Sequence, residues 1–343
     1  MDKIGVKRML REQAERVLLD VRTPSEFEGG HIPGAQNLPL FTNEERAVVG
    51  TIYKQQSPEL AFTKGLEFAG ARMPWYVDEA KRLAPDRKIF IHCWRGGQRS
   101  GSLAWLLGFA GFEVDVLEGG YKAYRNFILN EFATMPIRPV VLGGPTGSGK
   151  TEILGYLRQA GEQVIDLEAL AHHKGSSFGA IGESPQPTVE QFENDLYLGF
   201  SRMDPTRRVW VENESRSIGR IFLPEGLWMR FQRSPLVKLD VPLQERVQYL
   251  VGVYGAFPRE ALEDAFCRIE RRLGGQHLTA ALEALQRDDF AAASEIALRY
   301  YDKSYSFATS KGYFDPVLEL SVQKLDPYQI ANQLINLANE RGL

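Results

Sequence analysis

Two short segments of this chain carry residue types whose spacing suits anion chemistry. Gly144-Pro145-Thr146-Gly147-Ser148-Gly149-Lys150-Thr151 matches G-x-x-x-x-G-K-[ST] without a mismatch. Glycines in such a loop let backbone N–H groups close around phosphate oxygens, and the helix that follows adds the partial positive charge of its N-terminus. Gly144, Gly147, Ser148 and Gly149 are therefore expected to cradle phosphate, with Lys150 on its terminal oxygens and the Thr151 hydroxyl placed to ligate Mg²⁺. The second segment is His92-Cys93-Trp94-Arg95-Gly96-Gly97-Gln98-Arg99-Ser100. Loop N–H groups, a helix N-terminus and the Arg99 guanidinium would all stabilise a thiolate, which marks Cys93 as the nucleophile. Arg95, Gly96, Gly97, Arg99 and Ser100 complete its oxyanion or chalcogen loop.

Other residues are weaker candidates. The strand expected to carry an acidic metal partner for the phosphate loop, Val209-Trp210-Val211, ends in Glu212, then Asn213, Glu214, Ser215 and Arg216. Asp166 is the other option, and neither arrangement is the common nucleotidase pattern, so ATP hydrolysis is not implied. His172 and His173 are adjacent, which suits substrate contact better than joint ligation of one ion. Asp166, His172, His173, Glu212, Glu214 and Arg216 are thus possible substrate or Mg²⁺ contacts. Cys267 falls in an amphipathic pattern and reads as packing.

These loops need a scaffold, and the periodicity supplies one. Residues 17–21, 89–92 and 114–117 read as buried strands, separated by helical patterns over 75–83 and 100–109. Residues 40–72 look like a polar, partly helical insertion. Two prolines within 134–139 break the pattern and mark a linker, so domains 1–134 and 139–343 are expected. Beyond it, 140–142, 163–165, 209–211 and 236–241 read as strands, and from about residue 259 onward the chain reads as helical. Alternating strands and helices predict parallel α/β sheets in both halves.

At 343 residues and 43% hydrophobic, the chain can bury two ordinary cores. Two cysteines in dissimilar contexts argue against a disulfide scaffold and for a reduced, cytoplasmic setting. The charged start, Met1 to Arg11, lacks the apolar core of a signal peptide, and no apolar run is long enough to span a bilayer. Net charge is −3, with 140–199 acidic and 200–275 basic. The basic stretch is compatible with a nucleic-acid face, but by itself it reads as a solvated mixed-charge surface.

Asp20-Val21-Arg22-Thr23-Pro24-Ser25-Glu26-Phe27, then Gly30-His31-Ile32-Pro33-Gly34-Ala35, resembles the opening signature of rhodanese domains, and Glu118-Gly119-Gly120-Tyr121 resembles their closing motif. The spacing from Cys93 to Arg99 is one residue longer than in common sulfurtransferases and also resembles H-C-x5-R phosphatases. A rhodanese-like domain followed by a P-loop NTPase-like domain with a helical C-terminal part resembles the tRNA 2-selenouridine synthase family. Segments 166–168, 172–179, 186–187 and 212–219 share that likeness. The resemblance implies exchange of sulfur for selenium in wobble 2-thiouridine of lysine, glutamate and glutamine tRNAs. It further implies geranyl diphosphate and selenophosphate as substrates, an S-geranylated intermediate, Mg²⁺, and no tightly bound cofactor. An apolar slot for the geranyl chain should then exist, with Phe178, Phe192, Tyr197 and Trp210 as candidate lining. An H-C-x5-R phosphatase and an ATP-dependent tRNA sulfurtransferase are the alternatives.

Overall fold

The computed structural model describes residues 1–309 and 314–343, leaving aside the side chains of 304–309. The chain forms two compact units, Met1–Glu131 and Phe132–Leu343.

The first unit is built on a five-stranded, wholly parallel sheet. Its order is Asp2–Ile4, Glu113–Leu117, Lys88–His92, Val17–Asp20, Gln36–Asn37. Ile89, Phe90 and Ile91 of the central strand are fully buried, as a strand covered on both faces requires. Residues 40–72 form two helices, Asn43–Gln55 and Pro58–Gly70, followed by Met73–Leu83. Asn43–Gln55 starts on a reciprocal cap: the Thr42 hydroxyl accepts from Glu45 N–H and the Glu45 carboxylate accepts from Thr42 N–H. The edge strand Asp2–Ile4 was not expected from the sequence, since three residues carry too little periodicity to register.

In the second unit another parallel sheet runs Val317–Ser321, Leu236–Asp240, Arg138–Gly143, Arg208–Glu212, Gln163–Ile165. The helix Lys150–Gln159 leaves the central strand through the glycine-rich loop. A short antiparallel pair, Ser217–Ile218 with Ile221–Phe222, stands apart. Helices Leu243–Tyr254, Arg259–Arg268, Gly275–Gln286 and Phe290–Thr309 make a helical layer with a separate apolar core around Phe178, Phe266 and Leu285.

The expectation of helices only beyond residue 259 fails at Val317–Ser321, which pairs in parallel with Leu236–Asp240. It is an edge strand whose exposure alternates along Val-Leu-Glu-Leu-Ser, so too little of it is apolar to announce a buried strand.

Candidate functional sites

Cys93 follows directly on the strand Lys88–His92 and precedes the helix Gln98–Phe109. It is 3% exposed, and its Sγ lies 3.3 Å from Ser100 Oγ. Burial pushes the thiol pKa up. Hydrogen bonds from the Ser100 hydroxyl and from the N–H groups of Ser100, Arg95 and Gly97 outweigh this and hold it below its ordinary value. The helix start thus stabilises the thiolate through backbone dipoles.

The closing motif buttresses this loop. Tyr121 N–H donates to Cys93 O at 2.9 Å and Lys122 N–H to Trp94 O at 3.0 Å. Gly120 has φ +60°, and a Cβ there would meet Cys93 O at 2.3 Å and Gly96 N at 2.5 Å. Only glycine allows so close an approach. Beneath the loop, Arg22 forks onto Asp20 with both side chains buried, and its guanidinium lies 3.8 Å from the Tyr121 ring centroid. The signature residues Asp20 and Arg22 therefore hold the frame and do not face a ligand.

Arg99 departs from its expected place over the thiol. Its guanidinium donates to both Glu26 oxygens, at 2.6 and 3.2 Å. Glu26 also closes the capping box of helix Pro24–Glu28, so a carboxylate 73 residues away already occupies this arginine. The Arg95 side chain is exposed and has no ion pair or hydrogen bond among the described residues, which leaves its guanidinium as the free cation of the loop.

In the second unit, Lys150 Nζ donates to Gly144 O at 3.2 Å, folded back over the loop. Thr151 Oγ1 donates to Glu168 Oε2 at 3.1 Å. The carboxylate beside the phosphate loop is therefore Glu168, and neither expected partner takes that place. Asp166 caps helix Leu167–Ala171 by accepting from Ala169 N–H at 2.8 Å, and Glu212 is buried and accepts from Leu167 N–H at 3.0 Å. Burial first, then the neighbouring carboxylates Asp166 and Glu168, raise Glu212 well above the usual range. Burial and Glu168 push Glu214 up to about 8, so it is mostly protonated at neutral pH. Glu214 thus cancels little of the Lys150 charge that a phosphate would meet.

Behind the loop, Arg246 is buried. It donates to Thr146 O and Val241 O and forks onto Asp302 at 2.8 and 2.9 Å. It pins the phosphate loop to the helices Leu243–Tyr254 and Phe290–Thr309.

A cavity of about 630 Å³ opens at the phosphate loop. Gly144, Gly147, Ser148, Gly149, Lys150, Thr151, Glu168 and Glu214 line one part of it. Another part is apolar, formed by Phe178, Leu262, Phe266, Leu285, Ala293 and Ala297 of the helical layer. Phe178 packs edge-on against Phe266 at 5.0 Å. Of the four residues expected to line an apolar slot, only Phe178 does so. Phe192 and Trp210 are fully buried and Tyr197 nearly so; none of the three reaches the cavity. Trp210 stands in a strand covered on both faces and donates its indole N–H to Glu162.

His172 and His173 also lie off the cavity wall. The His172 ring bonds Pro185 O at 3.0 Å, while His173 packs against Gly179 and burial lowers its pKa. Arg216 does line the cavity, exposed and only loosely paired with Glu225 at 3.6 Å. Among the described residues no group of three or more His, Cys, Asp or Glu forms a metal cage, and no helix is long and apolar enough to cross a membrane.

Comparison with known proteins matches both halves. Residues 137–329 match the tRNA 2-selenouridine synthase AAA domain and residues 5–127 the rhodanese-like domain. A protein named tRNA 2-selenouridine synthase in Sulfurovum sp. is 35% identical, over 90% of this chain and 89% of its own. One of the same name in Bdellovibrio bacteriovorus is 36% identical, over 90% and 89%. A solved structure, the N-terminal domain of a putative ATP/GTP binding protein from Clostridium difficile 630, is 41% identical over 37% of this chain and 99% of its own, with a TM-score of 0.34.

Proposed function

Since this chain belongs to the tRNA 2-selenouridine synthase family, we propose that it replaces sulfur by selenium in wobble 2-thiouridine of lysine, glutamate and glutamine tRNAs, as a two-step transferase. In the first step the 2-thio sulfur attacks C1 of geranyl diphosphate. The S–C1 bond forms as the C1–O bond breaks, diphosphate leaves with the electron pair, and the N3 proton of the base passes to solvent. In the second, selenium of selenophosphate adds at C2, the C2–S bond breaks and geranyl thiolate departs. Hydrolysis of the P–Se bond then frees phosphate and leaves 2-selenouridine.

The observation that carries this reading is the single cavity joining a phosphate loop to an apolar chamber. A prenyl diphosphate has one end for each part: an apolar chain for the wall of Phe178, Leu262, Phe266 and Leu285, and a diphosphate for the loop. Lys150 and the loop N–H groups bind and orient the diphosphate and stabilise it as it leaves. The adjacent Thr151 hydroxyl and Glu168 carboxylate suit Mg²⁺, which takes one or two protein oxygens plus substrate phosphate. When bound, the ion would neutralise charge on the leaving diphosphate.

Cys93, with a lowered thiol pKa and the free Arg95 beside it, is the centre that handles selenophosphate. A phosphatase would need the loop arginine on its oxyanion, and here Glu26 holds Arg99.

The test is mass spectrometry of nucleosides from 2-thiouridine anticodon RNA incubated with protein, geranyl diphosphate, Mg²⁺ and selenophosphate. S-geranyl-2-thiouridine followed by 2-selenouridine is expected. Lys150→Ala should fail to geranylate yet still selenate pre-geranylated RNA. Unchanged RNA with folded wild-type protein would refute the reading.

A further inference from the structure

Neither the phosphate loop nor the apolar chamber accounts for a third set of residues in the cavity wall: Asn213, Trp228 and Gln232. Asn213 follows the strand Arg208–Glu212, and its N–H donates to Leu142 O at 2.9 Å, which fixes it beside the strand that leads into the phosphate loop. Trp228 and Gln232 lie one turn apart at the end of helix Glu225–Phe231, with Gln232 N–H donating to Trp228 O at 3.0 Å. Among the described residues, the two side-chain amides and the buried indole N–H have no hydrogen-bond partner.

Other polar groups in the same wall are already engaged. Lys174 pairs with Glu183 at 3.2 Å, Thr151 with Glu168, Ser148 Oγ with Pro145 O at 2.6 Å, and Tyr301 with Ser177 at 2.7 Å. Half-buried amides with no protein partner, beside a ring whose N–H is buried and unpartnered, are available to a ligand in the cavity.

We propose that Asn213, Trp228 and Gln232 form the site for the pyrimidine base of the RNA, with Arg216 taking an adjoining backbone phosphate. The proposal rests on the alkylation reading above, because the thio sulfur must reach C1 of a prenyl chain lying between phosphate loop and apolar chamber. The base therefore has to enter this cavity. A 2-thiouracil presents N3–H as donor next to O4 as acceptor. A primary amide offers the complementary acceptor and donor side by side, so one amide reads that edge with two hydrogen bonds. An indole supplies surface for the flat ring to stack on. The exposed Arg216 is released readily from Glu225 at 3.6 Å, and a guanidinium pairs well with phosphate.

The experiment measures geranylation kinetics of the full-length protein on anticodon RNA carrying 2-thiouridine, with N3-methyl-2-thiouridine RNA, which has no N3 proton to lose, added as a non-reacting competitor. For wild type the Ki of this competitor is expected to lie well above the KM for the 2-thiouridine RNA. Gln232→Leu and Asn213→Leu remove an amide without adding charge. At least one should raise KM for the 2-thiouridine RNA by roughly tenfold, the loss of one or two hydrogen bonds. The same variant should narrow the gap between that Ki and the RNA KM while KM for geranyl diphosphate and the melting temperature stay put. Trp228→Phe, which keeps a ring, should raise the RNA KM less than Trp228→Ala. Unchanged RNA KM in both leucine variants overturns the base site, as does a rise confined to geranyl diphosphate. Absence of geranylation by wild type instead sinks the alkylation reading itself.

Discussion

Gly120→Ala and Gly97→Ala add the same methyl group to glycines that both touch the cysteine loop, yet they should differ by about 3 kcal/mol. At Gly120, φ is +60°, a region that costs an L-residue about 1–2 kcal/mol. The new Cβ would also sit 2.3 Å from Cys93 O, 2.5 Å from Gly96 N and 2.9 Å from Arg95 N. These are backbone atoms at the root of the thiolate cradle and cannot swing away, so overpacking adds about another 1–3 kcal/mol. At Gly97, φ is −99° and nothing lies within 4 Å of the added carbon, so the change should cost no more than about 0.5 kcal/mol. Native-state hydrogen exchange on the full chain reads this directly, through the amides of strand Lys88–His92. A 3 kcal/mol loss accelerates their exchange by roughly a hundredfold, against less than about threefold for Gly97→Ala. Equal acceleration in both variants, or protection unchanged in Gly120→Ala, would refute the packing argument.

Three further outcomes follow from the same geometry. The pH profile of iodoacetamide alkylation at Cys93 should have its midpoint below that of an ordinary thiol, and Ser100→Ala should move it upward. At neutral pH that variant then has less thiolate and reacts about tenfold more slowly, since a hydrogen bond to a charged group is worth about 1.5–3 kcal/mol. Arg246→Leu removes the fork onto Asp302 and the bond to Thr146 O. With Asp302 35% exposed, solvent screens its carboxylate, so calorimetry should show a loss of about 2 kcal/mol rather than the larger cost of a buried pair. Ala297→Phe fills the apolar chamber from the helix Phe290–Thr309. It should raise KM for geranyl diphosphate at least about tenfold while a five-carbon prenyl diphosphate is less affected, which steady-state kinetics with both donors would check.

Both loops were legible in the sequence because their chemistry is local. A strand, a run of glycines and a helix start are consecutive in the chain, and the backbone N–H groups that do the work need no distant partner. Cys93 and Lys150 follow from that pattern alone. The partners of these groups do not. Glu26 takes Arg99 across 73 residues, and Glu168 takes Thr151 although Asp166 and Glu212 end their strands more conventionally. Which carboxylate faces the loop depends on which are spent on backbone: Asp166 on Ala169 N–H and Glu212 on Leu167 N–H. The chamber was hardest to read. Its walls come from Phe178 and, at least 84 residues later, Leu262, Leu285 and Ala297, and apolar positions on amphipathic helices look alike whether they face a core or a cavity. Trp210 illustrates the converse, an aromatic that suggested a slot and turned out to lie in the core of the sheet.

The carboxylates around the phosphate loop also bear on why a nucleotidase motif would serve alkyl transfer. Splitting water onto a phosphate needs a group that orients the water and a proton acceptor for it. Glu214 is pushed up to about 8 by burial and by Glu168, so at neutral pH it mostly carries its own proton. Glu212 is also raised, by burial first and then by Asp166 and Glu168, and its accepting capacity goes partly to Leu167 N–H. Glu168, the remaining neighbour, accepts from Thr151. A site whose acids are protonated or engaged holds a phosphate end without readily activating water against it. Displacement at a carbon needs no such water. In the proposed alkylation its nucleophile would be the sulfur brought in by the RNA, and the protein's part would be to neutralise the departing diphosphate while the apolar wall keeps solvent from C1.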